Sequence, residues 1–266
     1  MLDRFNRIIH YLRISVTDRC NLRCKYCMPE EGVFSLKHED ILSFEEIIDF
    51  TKVAIKNGID KVRITGGEPL VRKNVIELIK MLSALKGLSD LSLTTNGILL
   101  EEFAKPLVLA GLKRVNISLD TLDAEKFKDI TRGGDLSKVI RGIEAAITAG
   151  IKPIKINCVI NTSSDEPDAQ TVKAFCEEKG LFVRFIHKMN LETGEFAIVE
   201  GGTGGNCRLC NKLRLSSDGY LRPCLFNDFS FNIRELGAEK ALQSAIEAKP
   251  ECGTFSAKNK FNRIGG

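Results

Sequence analysis

Short apolar runs alternate with longer segments of helical periodicity between His10 and His187. The runs are rich in β-branched and aliphatic residues, which is typical of strands buried on both faces. They are His10–Val16, Lys61–Thr65, Asp90–Thr94, Arg114–Leu119, Ile154–Ile160 and Phe182–His187. Six strands separated by helices predict right-handed βαβ units and a parallel sheet. That leaves an open doubly wound sheet and a partial barrel as the two architectures.

The helices are recognised by their ends. Ser43 and Glu46 form a capping box for a helix that ends at Gly58. Asp135 begins another, whose apolar stripe runs to Gly150. The same plan, with a glycine after the last turn, predicts helices over Val75–Leu85, Leu99–Ala110 and Ala169–Lys179.

The pattern ends after His187. Residues 201–205 read Gly-Gly-Thr-Gly-Gly, which predicts either a flexible hinge or a tight passage of the backbone. The final part of the chain, about 60 residues, shows little regular periodicity. A segment of that size struggles to build its own core, so a bound metal centre would stabilise it.

Composition excludes some functions. Hydrophobic residues make up 43% of the chain, which fits a folded globular protein. A net charge of +4 with no Trp and three Tyr lacks the basic, aromatic-rich surface of a nucleic-acid-binding protein. No apolar run reaches the roughly 18 residues of a membrane span, and residues 1–13 lack a signal-peptide layout. We therefore expect a cytoplasmic protein that binds neither nucleic acid nor membrane.

Nine cysteines are many for such a chain. In a reducing compartment, clustered cysteines are more often metal ligands than disulfides. Six fall into two groups, Cys20, Cys24 and Cys27, then Cys207, Cys210 and Cys224. The remaining three, Cys158, Cys176 and Cys252, are interpreted as small buried apolar residues.

The first group has the spacing C-x3-C-x2-C and directly follows the first strand. Three thiolates can hold three irons of a [4Fe–4S] cube and leave the fourth iron open to a small molecule. A zinc site is the alternative, but it usually completes four protein ligands with paired C-x2-C spacings. The second group, C-x2-C-x13-C, again has three ligands, and its alternative is a zinc site completed by His187 or Cys252.

Four cations lie in or beside the apolar strands: Arg13, Arg63, Lys155 and Arg184. A cation in such a strand is costly unless it is paired or directed at a ligand. An ion pair or an exposed edge would explain any one of them. Four that converge through the topology favour an anionic substrate, and Arg with Lys suits a polyphosphate.

These motifs carry a family resemblance. The first cysteine group, with Tyr26 before its last cysteine, resembles the signature of the radical S-adenosylmethionine (SAM) superfamily. Thr65-Gly66-Gly67-Glu68-Pro69, after the second strand, resembles that family's GGEP motif. The resemblance implies an α/β fold, a partial (β/α)6 barrel. It also implies a [4Fe–4S] cluster that binds SAM and cleaves it to a 5′-deoxyadenosyl radical.

The segment from Cys210 to Cys224 resembles the auxiliary-cluster segment of the GTP 3′,8-cyclase family, which begins molybdenum cofactor synthesis. The final Gly265-Gly266 is similar to that family's tail. The resemblance implies a radical SAM barrel over residues 1–190 and a small auxiliary iron–sulfur segment over 191–266, with a second [4Fe–4S] cluster. The implied reaction removes the 3′-hydrogen of GTP and closes the ring at C8 of guanine.

Residue-by-residue matching then implies three sets of site residues. Catalysis would involve Cys20, Cys24, Cys27, Arg13, Gly265 and Gly266. Cofactor binding would involve Tyr26, Gly66, Gly67, Glu68, Ser118, Asn157 and Met189. Substrate binding would involve Arg13, Arg63, Thr94, Lys155, Arg184, Lys212 and Arg214.

Two departures from the family bear on the substrate. Lys212 stands where the family usually has arginine, and the link from Met189 to Cys207 is shorter than in the longer members. The resemblance also implies an external low-potential electron donor and a downstream cyclic pyranopterin monophosphate synthase (MoaC-type), and it allows a homodimer. The alternative is a radical SAM peptide or protein maturase, which predicts a peptide groove in place of phosphate-binding cations.

Overall fold

The computed structural model describes residues 1–33 and 35–264. Its first six strands are parallel, and each lies beside the one before it in the chain. They are β1 Tyr11–Ser15, β2 Lys61–Thr65, β3 Asp90–Thr95, β4 Arg114–Ser118, β5 Ile154–Ile160 and β6 Phe182–His187. A doubly wound sheet would reverse this order at a switch point. The predicted partial barrel is therefore confirmed.

Six helices separate these strands. They are α1 Phe44–Lys56, α2 Val75–Ser83, α3 Leu100–Leu109, α4 Ala124–Thr131, α5 Leu136–Thr148 and α6 Pro167–Glu178. The capping box of Ser43 and Glu46 is present, and Asp135 caps α5. Single 3-10 turns lie at His38–Asp40, Pro69–Val71 and Cys207–Leu209. The sequence analysis missed α4, whose start is capped by Asp123.

The central strands are buried on both faces, as predicted, but apolar side chains occupy only one of those faces. One face is apolar and belongs to the core, as at Leu12, Ile14, Val62 and Ile64. The other face is polar, and in-register neighbours such as Arg13 and Arg63 share it. The alternation has a period of two along β1, β2 and β4, whereas on β6 the apolar Phe182 and Ile186 share the face of Arg184. The polar face forms the interior of the barrel.

The C-terminal part is more regular than its sequence suggested. β7 Lys212–Leu215 pairs in parallel with β1, and β8 Tyr220–Arg222 and β9 Phe231–Asn232 follow as antiparallel strands. Three helices complete the described chain, α7 Ile233–Leu236, α8 Ala238–Glu247 and α9 Phe261–Ile264. The expectation of little regular structure is wrong, because α8 buries Ala241, Leu242, Ala245 and Ile246 at helical spacing.

The glycine-rich link forms a tight passage of the backbone. A Cβ atom on Gly205 would lie 1.9 Å from the carbonyl oxygen of Ala197. Glu200 exchanges two backbone hydrogen bonds with Phe185 of β6, at 3.0 and 3.1 Å. Of the two predicted alternatives, the structure therefore shows the tight passage. Over the described ranges, no helix has the length and apolar character needed to cross a membrane.

Candidate active site

The first cysteine loop follows the carboxyl end of β1 and is paired with the loop that follows β2. The amide of Gly67 donates to the carbonyl oxygen of Thr17, and the amide of Glu68 donates to that of Arg19, both at 2.8 Å. A Cβ atom on Gly67 would lie 2.3 Å from the Arg19 oxygen, and one on Gly66 would lie 2.7 Å from the Thr17 oxygen. Both glycines are therefore required by the backbone that leads into Cys20.

Glu68 connects this loop to the end of β3. Its side chain is 1% exposed, and its carboxylate accepts hydrogen bonds from the amide of Leu70 (3.0 Å), the hydroxyl of Thr95 (2.8 Å) and the amide of Asn96 (2.7 Å). Burial raises the pKa of Glu68 to about 7, against the opposing effect of these bonds. The side-chain amide nitrogen of Asn96 donates to the side-chain oxygen of Asn21 at 2.8 Å, and Asn21 directly follows Cys20. Glu68 thus positions the start of the cysteine motif.

The other side of the cysteine loop is held by the end of α4. Backbone amides of Arg23 and Lys25 donate to the carbonyl oxygens of Thr131 and Ile130 at 3.1 and 3.0 Å. Arg132, with a left-handed φ of 55°, donates from its guanidinium to the carbonyl oxygens of Arg23 and Met28. Sequence analysis missed these contacts, although the capping Asp123 marked the helix that provides them.

Tyr26 joins the motif to the next strands. Its hydroxyl donates to the carboxylate of Asp120 at 2.8 Å, and that carboxylate also accepts from the amide of Val159 at 2.8 Å. Burial raises the pKa of both Tyr26 and Asp120, so the tyrosine stays protonated as the donor. The motif is therefore fixed to the ends of β4 and β5.

The thiols of the first group share one half-buried space. Burial, together with the thiolate charges of neighbouring cysteines, raises the pKa of Cys24 and of Cys27 to about 12. Three thiolates coexist there only around a cation, which the irons of a cluster provide. No group of three or more His, Cys, Asp or Glu side chains in the described ranges could hold a metal ion by itself. A [4Fe–4S] cube binds its thiolates on separate irons, so the donor set fits that group.

The barrel interior carries a row of arginines. Arg13 on β1 is in register with Arg63 on β2 and with Arg214 on β7. Lys212 lies on the amino-end side of that row, beside Tyr11, and two rows toward the carboxyl ends hold the other predicted strand residues. One row holds Thr94, Asn116 and Lys155, and the next holds Ser118, Asn157 and Arg184. The structure thus brings together on one surface the strand residues that were predicted to bind cofactor or substrate.

Electrostatics show how closely these cations converge. Burial, together with the charges of Arg214 and Arg184, lowers the pKa of Arg13 to about 9. Burial likewise lowers the pKa of Arg63 to about 10 and that of Lys212 to about 8. Across β1–β7, whose residues are all described, the single acidic residue is Asp90, which pairs with Arg114. An interior with this excess of positive charge suits an anionic ligand.

Two polar atoms on this surface have no protein partner. The side-chain oxygen of Asn157 and the hydroxyl of Tyr11 are buried without a hydrogen bond. Buried polar atoms are normally paired, so each marks a position where a ligand atom would complete the bonding. Tyr11 was missed by the sequence analysis, and its ring also lies 5.4 Å from the Arg63 guanidinium.

The second cysteine group lies at the opposite end of the strands. Cys210 precedes the amino end of β7, and Cys224 follows β8, which returns antiparallel to β7. Because β7 is parallel to β1, one strand length, about 17 Å for five residues, separates this end from the first cysteine loop. The arginine row lies between the two cysteine groups.

Lys249 is a site residue that the sequence analysis missed. It is 1% exposed, and its ammonium donates to the carbonyl oxygens of Lys212 and Pro223 at 2.7 Å each and to the sulfur of Cys210 at 3.4 Å. Burial opposes ionisation of Cys210, but the charges of Lys249 and Lys212 outweigh it and lower the pKa of the thiol. A stabilised thiolate is the form that binds iron.

The three cysteines outside the two groups differ from one another. Cys158 and Cys176 are fully buried, as predicted. Cys252 is exposed, and its sulfur lies 2.9 Å from the sulfur of Cys207, so its interpretation as a buried apolar residue is wrong. The structure places it beside a predicted cluster ligand.

A cavity of about 620 Å³ opens beside the first cysteine loop. Tyr26, Cys27 and Met189 line it, together with part of the C-terminal segment, residues 256–261. The next residues form α9, which contacts β1 and ends with Ile264 at 1% exposure. Gly265 and Gly266 lie outside the described residues.

Comparisons with known proteins agree with this arrangement. The sequence profile of the Radical SAM superfamily matches residues 14–174. A relative from Peptoclostridium acidaminophilum named GTP 3′,8-cyclase is 42% identical and covers 100% of this chain and 98% of its own. One of the same name from Alkaliphilus metalliredigens is 39% identical over 94% and 93%.

A third relative named GTP 3′,8-cyclase, from Petrotoga mobilis, is 38% identical over 325 aligned positions that cover 100% of both chains. This chain has 266 residues, so about 59 of those positions have no residue here. The chain is therefore a short relative of the proteins it matches.

Solved structures show the same fold. Streptococcus suis SuiB bound to precursor peptide SuiA has a TM-score of 0.66 at 19% identity, covering 93% of this chain and 67% of its own. Methylornithine synthase (PylB) has a TM-score of 0.57 at 15% identity, covering 76% and 61%. At these identities the likeness shows the fold alone.

Proposed function

The chain belongs to the GTP 3′,8-cyclase family of the radical SAM superfamily, and on that premise we propose that it converts GTP to 3′,8-cyclo-7,8-dihydro-GTP. This is the first step of molybdenum cofactor biosynthesis, and it requires SAM and two [4Fe–4S] clusters. One structural observation carries the proposal: the row of Arg13, Arg63 and Arg214 lies between two cysteine groups at opposite ends of the same strands.

The first cysteine group is assigned to the radical cluster. Cys20, Cys24 and Cys27 hold three irons, and the cluster supplies the electron that cleaves SAM. Residues around the mouth of the barrel would orient the cofactor. These are Tyr26, Gly66, Gly67, Glu68, Ser118, Asn157 and Met189. The unpartnered oxygen of Asn157 supports this assignment, while the buried carboxylate of Glu68 supports a positioning role rather than direct contact.

The interior cations are assigned to GTP. The triphosphate would bind Arg13, Arg63, Lys155 and Arg184 beside Thr94, because guanidinium groups bind phosphate oxygens in pairs. The base would lie toward Lys212, Arg214 and the cluster held by Cys207, Cys210 and Cys224. A pKa near 8 leaves Lys212 mostly charged at neutral pH, so it keeps the charge of the arginine it replaces but not the planar fork.

The tail is assigned to cyclisation. Ile264 is buried and α9 contacts β1, so the residue before Gly265 lies next to the barrel. That position supports a role for Gly265 and Gly266 at the substrate.

Organisation and partners follow from the family. Residues 1–190 form the radical SAM unit and 191–266 the auxiliary segment, although β7 joins the same sheet. We propose an external low-potential electron donor, a cyclic pyranopterin monophosphate synthase that takes the product, and a homodimer. Nine cysteines without a disulfide in the described chain favour a reducing compartment, so we place the protein in the cytoplasm.

A peptide or protein maturase remains the competing function. It has the same fold but no need for a cationic interior. On strands β1–β7, whose residues are all described, eight cations share the inward face with one acid, Asp90: Arg13, Lys61, Arg63, Arg114, Lys155, Arg184, Lys212 and Arg214. That charge favours a nucleotide over a peptide.

The test is an anaerobic incubation of the reconstituted protein with SAM, a reductant and GTP. We expect cyclised product, and GTP should stimulate SAM cleavage. Arg63→Gln should raise the KM for GTP about tenfold or more, since a charged hydrogen bond contributes about 1.5–3 kcal/mol. Arg141→Gln is the matched control, because Arg141 pairs with Glu101 on the surface. No product, with no stimulation by GTP, would favour the maturase.

A further inference from the structure

The segment 249–253 encloses the second cysteine group, and each part of it contacts that group. Lys249 donates to the sulfur of Cys210, as described above. The sulfur of Cys252 lies 2.9 Å from that of Cys207. A Cβ atom on Gly253 would lie 3.0 Å from the sulfur of Cys224. All three predicted ligands are thus in contact with a stretch of five residues, of which the sequence analysis considered only Cys252, as a buried apolar residue or as the fourth ligand of a zinc site.

A buried arginine fixes the position of Cys252. The Arg7 guanidinium donates to the carbonyl oxygens of Cys207 (2.8 Å), Glu251 (2.8 Å) and Pro250 (2.6 Å). Asp3, itself buried, accepts from the same group at 2.6 Å. Because one guanidinium binds the backbone on both sides, Cys207 and Cys252 are fixed next to each other.

The chain after Cys252 is equally constrained. A Cβ atom on Gly253 would lie 2.7 Å from the side chain of Phe226, and the amide of Thr254 donates to the carbonyl oxygen of Phe226 at 3.0 Å. The backbone therefore runs directly against the region of Cys224. Cys252 lies between two predicted ligands, with its side chain exposed while theirs are half-buried.

We propose that Cys252 is the fourth thiol of the second cluster site, bound to the iron that the other three cysteines leave open, and that GTP displaces it. This rests on the cluster assignment in the proposed function. On binding, the thiol releases its proton to solvent, and on displacement it takes a proton back, so no electron is transferred. Thiolates on separate irons of a cube lie farther apart than the 2.9 Å between these two sulfurs, so binding would turn the exposed side chain of Cys252 away from Cys207. Displacement by GTP would then turn it toward solvent without moving the backbone of Cys207, Cys210 or Cys224. Cys252 would then keep the open iron from unproductive ligands until substrate arrives.

The experiment measures alkylation of each cysteine by iodoacetamide in the anaerobic holoenzyme, with and without GTP, by peptide mass spectrometry. Without GTP, Cys252 should react about tenfold more slowly than in the cluster-free chain, because an iron-bound thiolate is not free to react. Saturating GTP should restore its reactivity. Cys176, fully buried, is the control for unfolding and should stay unmodified in every native sample.

Several outcomes would overturn the inference. Equal reactivity of Cys252 in the holoenzyme and the cluster-free chain would show that it is not a ligand. Protection that persists with GTP would show that it is not displaced. A Cys207–Cys252 disulfide in the holoenzyme would assign the pair a different chemistry. Iron and sulfide sufficient for one cluster only would instead contradict the proposed function itself.

A second readout does not depend on alkylation. Cys252→Ser should retain the iron and sulfide of the wild-type protein but change the paramagnetic resonance spectrum of the reduced second cluster in the absence of GTP. With GTP bound, the two spectra should agree. Identical spectra without GTP would contradict the proposal.

Discussion

Replacing Gly67 with alanine tests whether the GGEP loop positions the first cluster or only admits the cofactor. The backbone of Gly67 lies against the chain that leads to Cys20. A methyl group there would lie 2.3 Å from the carbonyl oxygen of Arg19, 2.7 Å from its carbonyl carbon and 2.9 Å from the carbonyl oxygen of Asp18. All three are backbone atoms, so no side chain can rotate away.

The size of the perturbation follows from these distances. The two loops must separate by about 1 Å to reach ordinary contact, and overpacking of this kind costs about 1–3 kcal/mol or more. Separation would also break the hydrogen bonds from Gly67 to Thr17 and from Glu68 to Arg19. Cys20 would then move relative to Cys24 and Cys27. We expect the first cluster to be lost while the second is retained.

The assay is the iron and acid-labile sulfide content after anaerobic reconstitution, with SAM cleavage measured in parallel. Gly67→Ala should keep about four of the roughly eight irons that two cubes contain. Gly111→Ala is the matched control, because its methyl group would lie 2.6 Å from the Cβ atom of Ser83 at the end of α2, and neither residue is near a cysteine group in the chain. It should lower the melting temperature but keep both clusters.

A Gly67→Ala protein with full iron content that fails only to bind SAM would refute this reasoning. It would show that the glycine serves the approach of the cofactor and that the loop contact tolerates a methyl group. Equal iron loss in both variants would show a general effect of destabilisation.

Three further predictions concern other residues. Burial raises the pKa of Glu68 from 4.5 to about 7, so the free energy of unfolding of the wild-type protein falls as the pH rises from 4.5 through 7. Glu68→Gln lacks this pH dependence, so the difference in melting temperature between the wild-type protein and the variant should become smaller between pH 5.5 and 8. Lys249→Met removes the donor to two carbonyl oxygens, at a cost of about 1–3 kcal/mol each. The variant should therefore lose its second cluster faster in the presence of a chelator. Lys240 is exposed, so Lys240→Met should lose the cluster at the wild-type rate. Deleting Gly265 and Gly266 should spare deoxyadenosine formation but stop cyclised product, and equal loss of both would contradict that role.

Much of the barrel could be predicted because its signals are local. Strand positions, the capping residues Ser43 and Asp135, and the spacing of Cys20, Cys24 and Cys27 are all readable within a few residues. The presence of one apolar and one polar face on the strands could also have been predicted, since Leu12 and Ile14 alternate with Arg13 and Ser15. It was missed because the runs were judged by composition rather than by their period of two.

The remaining parts of the site depend on contacts between distant residues. Lys249 looks like an ordinary surface residue in the sequence, and Cys252 was interpreted there as a buried apolar residue, with a zinc ligand as the alternative. Only the folded chain places them on Cys210 and Cys207. The hydrogen bonds from Arg132 to the cysteine loop could not be predicted for the same reason, because they join residues more than 100 positions apart. No local pattern contains such information, so these roles appear only in the structure.

The pairing of β7 with β1 has the largest functional consequence of these distant contacts. It aligns Lys212 with Tyr11 and Arg214 with Arg13 across about 200 residues of chain. Had β7 paired antiparallel, Cys210 would lie at the same end of the barrel as Cys20, and the arginine row would not separate the two groups. The parallel register instead places one cysteine group at each end, so a nucleotide bound to the arginines lies between them.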